Sequence, residues 1–260
     1  MPEGDTVFRA ARRLDDALAG REVTRFDLRV PQAATVDLSG LVVDAVVARG
    51  KHLLHRIGPW VLHSHLKMEG QWHVYPSGGR WRRPGHTARA VVSTATHDTV
   101  GFDLAEIDVV RREREGDLVG YLGPDPLGPD WDAAEAARRV ARDTRAVHVA
   151  LLDQRSVAGF GNVYANELLF VRGIAPTTPA SDVDVPALLD TGVRMIRANR
   201  DRSARTFTGD ARPGRRTWVY GREGADCRRC GTTIEATSLG ADPTRERTVF
   251  WCPRCQPAVE

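Results

Sequence analysis

The hydrophobic and polar positions along the chain change their period twice. In residues 6–18 apolar residues recur at every third or fourth position, which predicts an amphipathic helix that ends before Gly20. From residue 22 to about residue 110 the pattern becomes alternating or β-branched and is broken by Gly, Pro, Ser and Asp. The strands predicted from this pattern are residues 22–30, 41–50, 52–57, 60–66, 71–75, 88–94 and 100–110. So many strands in one region favour a β-sandwich or a barrel.

Helical spacing returns after residues 119–131, where glycine and proline recur and no period persists. The predicted helices are residues 132–141, 146–153, 162–171 and 186–199, and the strand-like stretches 232–240 and 247–252 follow them. The fold class is therefore predicted to be α+β. The predicted divisions are an N-terminal β-sandwich domain (1–118), a linker (119–131), a helical domain (132–222) and a C-terminal β-hairpin segment (223–260).

The composition is that of a globular protein, with 42% hydrophobic and 27% charged residues. No apolar run approaches the roughly 18 residues that a membrane-spanning helix needs, and the N-terminal residues lack the pattern of a signal peptide. These features predict a cytoplasmic protein without a membrane partner. Residues 194–260 contain 14 arginines against 8 acidic residues, and such a basic C-terminal quarter is typical of a segment that binds a polyanion.

The first residues offer candidate chemistry. Met1 is normally removed when a small residue follows it, which would leave Pro2 with a secondary amine as the chain's α-amino group. A fraction of such an amine is unprotonated near neutral pH, and it can attack an aldehyde-like carbon to form an iminium. Glu3, the next residue, could transfer protons. Many chains begin with Met-Pro without any such role, so this pair alone does not decide the function.

Three further motifs are ambiguous in isolation. Lys51 precedes a predicted strand, where it could bind a phosphate or remain a solvated surface lysine. Met68 lies in a predicted turn, either as a core side chain or as an exposed wedge between bases. Asn162 follows a Gly-Phe-Gly stretch and is predicted to be the N-cap of a helix whose N-terminus could bind a phosphate.

His63 and His65 share one strand face, but without a third ligand they are interpreted as packing or surface residues.

All cysteines of the chain lie near its C-terminus, in two Cys-x2-Cys pairs separated by 21 residues. Two such pairs at this separation strongly indicate a tetrahedral zinc site that has four thiolate ligands and a structural role. The predicted ligands are Cys227, Cys230, Cys252 and Cys255. This zinc site would hold together a β-hairpin that carries Arg245 and Arg247, which suits contact with DNA phosphates.

In combination, these motifs resemble the formamidopyrimidine-DNA glycosylase and endonuclease VIII family of base-excision repair enzymes. The resemblance covers nearly the whole chain. It implies an N-terminal β-sandwich that begins with a helix, a helix-two-turn-helix domain and a C-terminal zinc finger, with double-stranded DNA bound between the domains. It also implies that the protein is a monomer whose only cofactor is one structural zinc ion.

The resemblance implies a role for each motif residue. Pro2 is similar to the nucleophile that attacks C1′ of the damaged nucleotide, and Glu3 to the acid and base that assists it. Lys51, Asn162 and Arg247 are similar to residues that bind phosphates near the lesion. Met68 is similar to a methionine that fills the space left by the extruded nucleotide. The implied reaction is removal of an oxidised base, followed by β- and δ-elimination at the abasic site.

The start Pro-Glu-Gly resembles the endonuclease VIII branch, which implies oxidised pyrimidines as substrates. The chain departs from the family at Thr6, where a second glutamate is common, and at Glu223, where some members have a lysine. The alternatives are a glycosylase for oxidised purines, a lesion-binding protein with weak catalysis, and a zinc-ribbon DNA-binding protein in which Pro2 is incidental. Tautomerases also use an N-terminal proline, but they are small domains without a zinc ribbon.

Overall fold

A computed structural model describes residues 2–258 of the chain. Met1, which is expected to be removed, lies outside the described residues, as do residues 259–260. The chain divides into two compact units, Met1–Tyr121 and Leu122–Glu260. None of the helices within residues 2–258 has the length and apolar character that crossing a membrane requires.

The first unit is a β-sandwich preceded by helix α1 (Gly4–Leu18). Its strands are β1 (Arg25–Leu28), β2 (Val43–Arg49), β3 (His52–Ile57), β4 (Trp60–His65), β5 (Gln71–Pro76), β6 (Ala88–Ser93), β7 (His97–Phe102) and β8 (Glu106–Arg111). They form two antiparallel four-stranded sheets, in the orders β1-β6-β7-β5 and β2-β3-β4-β8. The apolar face of α1 joins the core through Val7, Leu14 and Leu18. The predicted sandwich with an N-terminal helix is confirmed.

The prediction of one strand over residues 100–110 is wrong, because the chain turns at Asp103. That residue has φ +49°, in the left-handed region, and it separates β7 in one sheet from β8 in the other. The sequence shows no glycine or proline at this turn, so the pattern of alternation continues across it. A short helix, α2 (Glu115–Val119), was also not predicted.

The second unit is helical and ends in a hairpin. Its helices are α3 (Ala133–Ala141), α4 (Val147–Leu152), α5 (Asn162–Arg172) and α6 (Val185–Asn199), and its strands are β9 (Glu235–Leu239) and β10 (Arg247–Trp251). Helix α5 is the centre of this unit, because its buried residues pack on both the helical core and the base of the hairpin. Turns at residues 153–161 connect α4 to α5. The predicted helical domain and C-terminal hairpin are confirmed, whereas the exact domain bounds given above remain a prediction.

Candidate functional site

Pro2 and Glu3 lie at the N-terminus of α1. Glu3 is the N-cap residue in an extended conformation, and its carbonyl oxygen accepts the backbone N–H of Thr6 (2.9 Å) and of Val7 (3.0 Å). The Glu3 side chain is fully buried, while Pro2 is half-buried. Because α1 is anchored in the core through its apolar face, the residues at its start are held by the fold rather than left frayed.

Asp5 is a second buried carboxyl group in this first turn, and no motif in the sequence marks it. Its Oδ1 accepts hydrogen bonds from the backbone N–H of Thr6 (2.8 Å) and from the Thr6 hydroxyl (3.3 Å). Thr6, noted above as a departure from the family pattern, is thus a partner of Asp5. An aspartate in a first helical turn also interacts favourably with the helix dipole, but its complete burial could not be read from the sequence.

Lys51 lies in the turn before β3, directly after Gly50, whose φ of +58° is in the left-handed region. The next residue, His52, starts a chain of hydrogen bonds across the sheet: His52 Nδ1 lies 2.8 Å from His63 Nε2, and His63 Nδ1 lies 3.1 Å from Asp108 Oδ2. The Tyr121 hydroxyl lies 3.1 Å from His52 Nε2.

The carboxylate of Asp108 only accepts, so Nδ1 of His63 carries the hydrogen of the bond between them. Burial, followed by the charges of His63, His65 and the two nearby lysines, lowers the pKa of His52 to about 3. His52 is therefore neutral near pH 7, with one ring nitrogen that donates and one that accepts. These bonds connect β3, which begins beside Lys51, to β4 and β8.

Met68 is 62% exposed, so the interpretation of Met68 as a core residue is wrong. It lies in a turn closed by the bond from the backbone N–H of Gly70 to the carbonyl of Leu66 (2.8 Å). A Cβ at Gly70 would lie only 2.5 Å from that carbonyl oxygen, which explains the glycine. Lys67 Nζ is 2.6 Å from Glu106 Oε1, and this ion pair ties the turn to β8.

In the second unit, Asn162 is the first residue of α5 and not its N-cap, which is Gly161. The prediction of Asn162 as the N-cap is therefore wrong. Instead, its side-chain Nδ2 donates to the carbonyl oxygen of Thr248 in β10 (2.8 Å), and its Oδ1 lies 2.9 Å from Nε2 of His148. The side chain thus bridges α5 to the hairpin. Sequence patterns cannot show this bridge, because its partners are 14 and 86 positions away.

Arg247 is exposed at the start of β10, opposite Leu239 of β9. Its Nη1 donates to the carbonyl oxygen of the preceding Glu246 (2.8 Å), and no carboxylate pairs with it among the described residues. Arg245, by contrast, lies 3.4 Å from Asp242 Oδ2. Arg247 therefore presents an unneutralised cation at the start of β10, next to Thr248, whose carbonyl accepts the bond from Asn162.

The four cysteine sulfurs at the base of the hairpin lie within 4.8 Å of one another. Cys227 Sγ is 3.9 Å from Cys255 Sγ, and Cys230 Sγ is 3.4 Å from Cys252 Sγ. Tetrahedral zinc with Zn–S bonds of about 2.3 Å places its sulfurs about 3.8 Å apart, so the donors fit this ion. Within residues 2–258 these cysteines are the one group of three or more His, Cys, Asp or Glu side chains that could hold a metal.

Glu167, on α5, was also not identified from the sequence. Its buried carboxylate accepts the backbone N–H groups of Trp218 (2.8 Å), Val219 (2.9 Å) and Tyr220 (2.8 Å). Burial raises the pKa of Glu167, and the three N–H donors oppose this shift because they stabilise the charged form. The carboxylate fixes the segment that leads into the cysteine cluster.

Two family profiles match the chain. The profile described as Formamidopyrimidine-DNA glycosylase N-terminal domain matches residues 1–115, and the one described as Formamidopyrimidine-DNA glycosylase H2TH domain matches residues 122–194. The chain is 50% identical over 260 residues to the DNA-(apurinic or apyrimidinic site) lyase Nei2 of Mycolicibacterium smegmatis, which covers 99% of this chain and 100% of that protein.

Endonuclease 8 2 of Mycobacterium tuberculosis is 49% identical to the chain over 262 residues, covering 98% of this chain and 100% of that protein. Among solved structures, the chain is similar to Lactococcus lactis Fpg in complex with DNA that contains an abasic site. That structure has a TM-score of 0.80 and 23% identity, and the similarity covers 98% of this chain and 100% of that one. At this identity the likeness concerns the fold.

Proposed function

The chain belongs to the formamidopyrimidine-DNA glycosylase family, and from this premise we propose that it is a bifunctional DNA glycosylase and AP lyase of base-excision repair. The observation that carries the proposal is the position of Pro2 directly before the buried Glu3, at the start of a helix anchored in the core. A nucleophile and an acid or base that are adjacent and held by the fold are what a covalent elimination mechanism requires.

The proposed reaction begins once Met1 is removed. The secondary amine of Pro2 attacks C1′ of the damaged nucleotide, the C1′–N bond to the base breaks, and the base leaves with a proton. The sugar ring opens to give an iminium that acidifies the C2′ hydrogen. Loss of that proton expels the 3′ phosphate (β-elimination), and a second elimination expels the 5′ phosphate. Hydrolysis of the iminium then releases the sugar remnant and regenerates the amine, and Glu3 transfers protons in these steps.

The damaged nucleotide must be extruded from the DNA duplex before its C1′ can be attacked, and we assign the remaining site residues to stabilising this extruded state. Lys51, Asn162 and Arg247 bind the phosphates that flank the extruded nucleotide. Two observations support these roles: Asn162 Nδ2 is a donor, and Arg247 is exposed without a carboxylate partner among the described residues. Met68, exposed on a closed turn, fills the vacated space.

One zinc ion is held by Cys227, Cys230, Cys252 and Cys255, and its role is structural. The sulfur distances and the four-thiolate donor set support this assignment, because a closed tetrahedral site has no position for a substrate. Backbone N–H groups of Arg229 and Cys255 lie 3.4 Å from the sulfurs of Cys227 and Cys252, and such donors stabilise metal-bound thiolates.

The proposed substrate is double-stranded DNA that contains an oxidised pyrimidine or an abasic site. The pyrimidine assignment rests on the start Pro-Glu-Gly, which resembles the endonuclease VIII branch, and the abasic-site assignment is supported by the name of the similar abasic-site lyase. The proposal keeps the monomer that the family resemblance implies. Its place of action follows the substrate, the DNA of the cytoplasmic nucleoid.

Borohydride trapping tests the proposal, because reduction converts the iminium to a stable adduct. The protein is incubated with duplexes containing thymine glycol, 8-oxoguanine or an abasic site, and compared with Pro2→Ala and with a variant that carries an added residue before Pro2. The added residue turns the amine into an amide but keeps the proline ring. We expect adducts with the wild type and with neither variant. Mass spectrometry of the intact proteins establishes which N-terminus each carries.

Trapping that persists in both variants would overturn the proline mechanism. No adduct on any duplex from protein that lacks Met1 would overturn the enzymatic function and favour a lesion-binding protein. Stronger trapping on 8-oxoguanine than on thymine glycol would replace the pyrimidine assignment with the purine one.

A further inference from the structure

His148, on α4, is fully buried against the side chain of Asn162. Nε2 of His148 lies 2.9 Å from Asn162 Oδ1, and Nδ2 of Asn166 lies 3.1 Å from the same oxygen. Asn162 Nδ2 points to the other side and donates to the carbonyl oxygen of Thr248 (2.8 Å). The amide oxygen and nitrogen of Asn162 therefore face chemically different surroundings.

These partners determine which way the amide of Asn162 is turned. Its Oδ1 only accepts, so Nε2 of His148 must carry a hydrogen. The other ring nitrogen, Nδ1, is buried and has no hydrogen-bond partner within residues 2–258. A proton there would be costly, and in agreement burial lowers the pKa of His148 to about 4. His148 is thus a neutral ring with its hydrogen on Nε2, which makes it a fixed donor to Asn162.

The same network aligns Asn162 with the hairpin. Asn166, one helical turn after Asn162, accepts the backbone N–H of Phe250 (2.6 Å), while Asn162 donates to the carbonyl of Thr248. These two groups of β10 are two residues apart, so they point to the same side of the strand. Arg247 is the residue before Thr248, and its backbone is consequently fixed relative to the Asn162 amide.

We propose that His148 is a positioning residue that fixes the orientation of the Asn162 amide, so that its remaining N–H faces a DNA phosphate. The inference rests on the proposed function, in which Asn162 binds a phosphate. An amide has one donating and one accepting end, and the two ends have nearly the same shape. Without the His148 donor, Oδ1 keeps only the longer bond from Asn166 Nδ2 (3.1 Å), so the amide is held less firmly and can rotate to present its oxygen to the phosphate, where partial negative charge meets negative charge.

The test uses three variants in the full chain. His148→Leu removes the donor and keeps an apolar side chain of suitable size. His148→Gln retains an N–H donor, and the exposed His86→Leu is the matched control. Binding to a duplex with a tetrahydrofuran abasic analogue is measured from 50 to 200 mM salt, together with the trapping rate on an abasic duplex at saturating DNA.

For His148→Leu we expect about tenfold weaker binding at every salt concentration and an unchanged salt slope, because the neutral Asn162 amide displaces no counterion from the phosphate. The trapping rate at saturating DNA should stay close to that of the wild type, because Pro2 and Glu3 are unchanged. His148→Gln should restore the affinity, and His86→Leu should not alter it. In addition, the combination of His148→Leu with Asn162→Ala should bind no more weakly than Asn162→Ala alone, since both changes remove the same contact.

A purely structural role for His148 predicts something different: a loss of affinity that adds to the loss caused by Asn162→Ala. That result would overturn the inference while leaving the phosphate contact in place. If Asn162→Ala itself leaves the affinity unchanged, the assigned phosphate contact is wrong, and the inference is wrong with it.

A second measurement covers the case in which His148→Leu does not fold. Asn166→Asp keeps the acceptor for Phe250 but replaces the other donor to Asn162 Oδ1 with an acceptor, so it should reproduce the loss of affinity. In the DNA-free wild type, the side-chain N–H of Asn162 that is bonded to the Thr248 carbonyl should exchange slowly with solvent. Rapid exchange of both hydrogens would contradict a fixed amide.

Discussion

Glu3 and Asn162 show how differently two buried polar residues can be held. The backbone of Glu3 is held at the start of α1, where its carbonyl oxygen accepts two N–H groups. Asn162 is fixed through its side chain, which is bonded to both His148 and β10. A change of side chain at position 3 leaves these two backbone bonds in place, whereas a change at position 162 removes bonds that connect α5 to α4 and β10.

Glu3→Gln should impair base excision by about a hundredfold or more, the usual contribution of a general acid or base. The helix cap should survive, because it uses the backbone carbonyl. Cleavage at a pre-formed abasic site should be affected less, since the base has already left. Excision of thymine glycol, measured as strand cleavage after alkali treatment, is compared with cleavage of an abasic duplex. The control is Glu113→Gln, at an exposed position. Equal losses on both substrates would contradict the assignment of Glu3 to base removal.

Arg247→Ala should weaken DNA binding several-fold at 100 mM salt, with little dependence on sequence, and lower the salt slope by about 0.9. The reason is that Arg247 is exposed and no carboxylate pairs with it among the described residues. Arg194→Ala serves as the control, because Arg194 is an exposed arginine already paired with Asp190 (2.9 Å). Filter binding on two unrelated sequences measures the effect. A slope that matches the Arg194→Ala control would exclude a phosphate contact at Arg247.

At the scale of elements, the hairpin depends on α5 and on the cysteine cluster. A two-stranded hairpin is marginally stable in water by itself, so β9 and β10 need support from elsewhere. Phe170 of α5 packs with Val219, Ile234 and Cys252 at the hairpin base, and Glu167 accepts three N–H groups from the segment before it. The bonds from Asn162 and Asn166 to β10 complete the attachment.

Cys252→Ser should release zinc and lower DNA affinity by about tenfold or more, because metal binding supplies folding free energy to a hairpin with so little core. The purified variant is assayed for zinc content and for binding to an abasic-analogue duplex. Ser238→Ala, on the exposed face of β9, should change neither quantity. A zinc-free Cys252→Ser variant that binds DNA as tightly as the wild type would contradict the structural role of the metal.

At the scale of the whole molecule, each of the two units contains a fully buried histidine. His55 packs against Trp72 in the sandwich, with ring centroids 4.7 Å apart, and His148 lies against Asn162 in the helical unit. Burial lowers the pKa of each imidazole to about 4. Both units should consequently respond to acid in the same direction, independently of the chemistry at Pro2.

The free energy of unfolding should fall between pH 6.5 and pH 4. An unfolded histidine binds a proton near pH 6.5 while the buried one does not, so protons favour the unfolded chain. Each histidine contributes a slope of up to about 1.4 kcal/mol per pH unit in this window, and stability is fully retained above it. Urea unfolding at pH 7.5, 6, 5 and 4 measures this slope. His148→Gln should reduce it and His86→Gln should not, and equal stability at pH 7.5 and 5 would refute the prediction.

Local patterns predicted most of the elements. The spacing of apolar residues in residues 6–18 corresponds closely to α1, because one face of this helix is buried, and the predicted strand 52–57 has the bounds of β3. The predictions fail where a partner distant in the sequence determines the local structure. Alternation continues through Asp103, although the chain changes sheets there, and Asn162 has the composition of an N-cap but bonds to Thr248 instead.

The sequence by itself determined the order of elements, the cysteine spacing and the family motifs, including Pro2-Glu3, because these depend on residue type and short-range separation. Only the tertiary structure decided that Asp5, His148 and Glu167 are buried, since burial depends on residues distant in sequence. It also decided the direction of the Asn162 amide, which follows from a donor on α4 and an acceptor on β10. A side chain's chemical type is fixed locally, whereas its orientation is set by the partners that the fold brings to it.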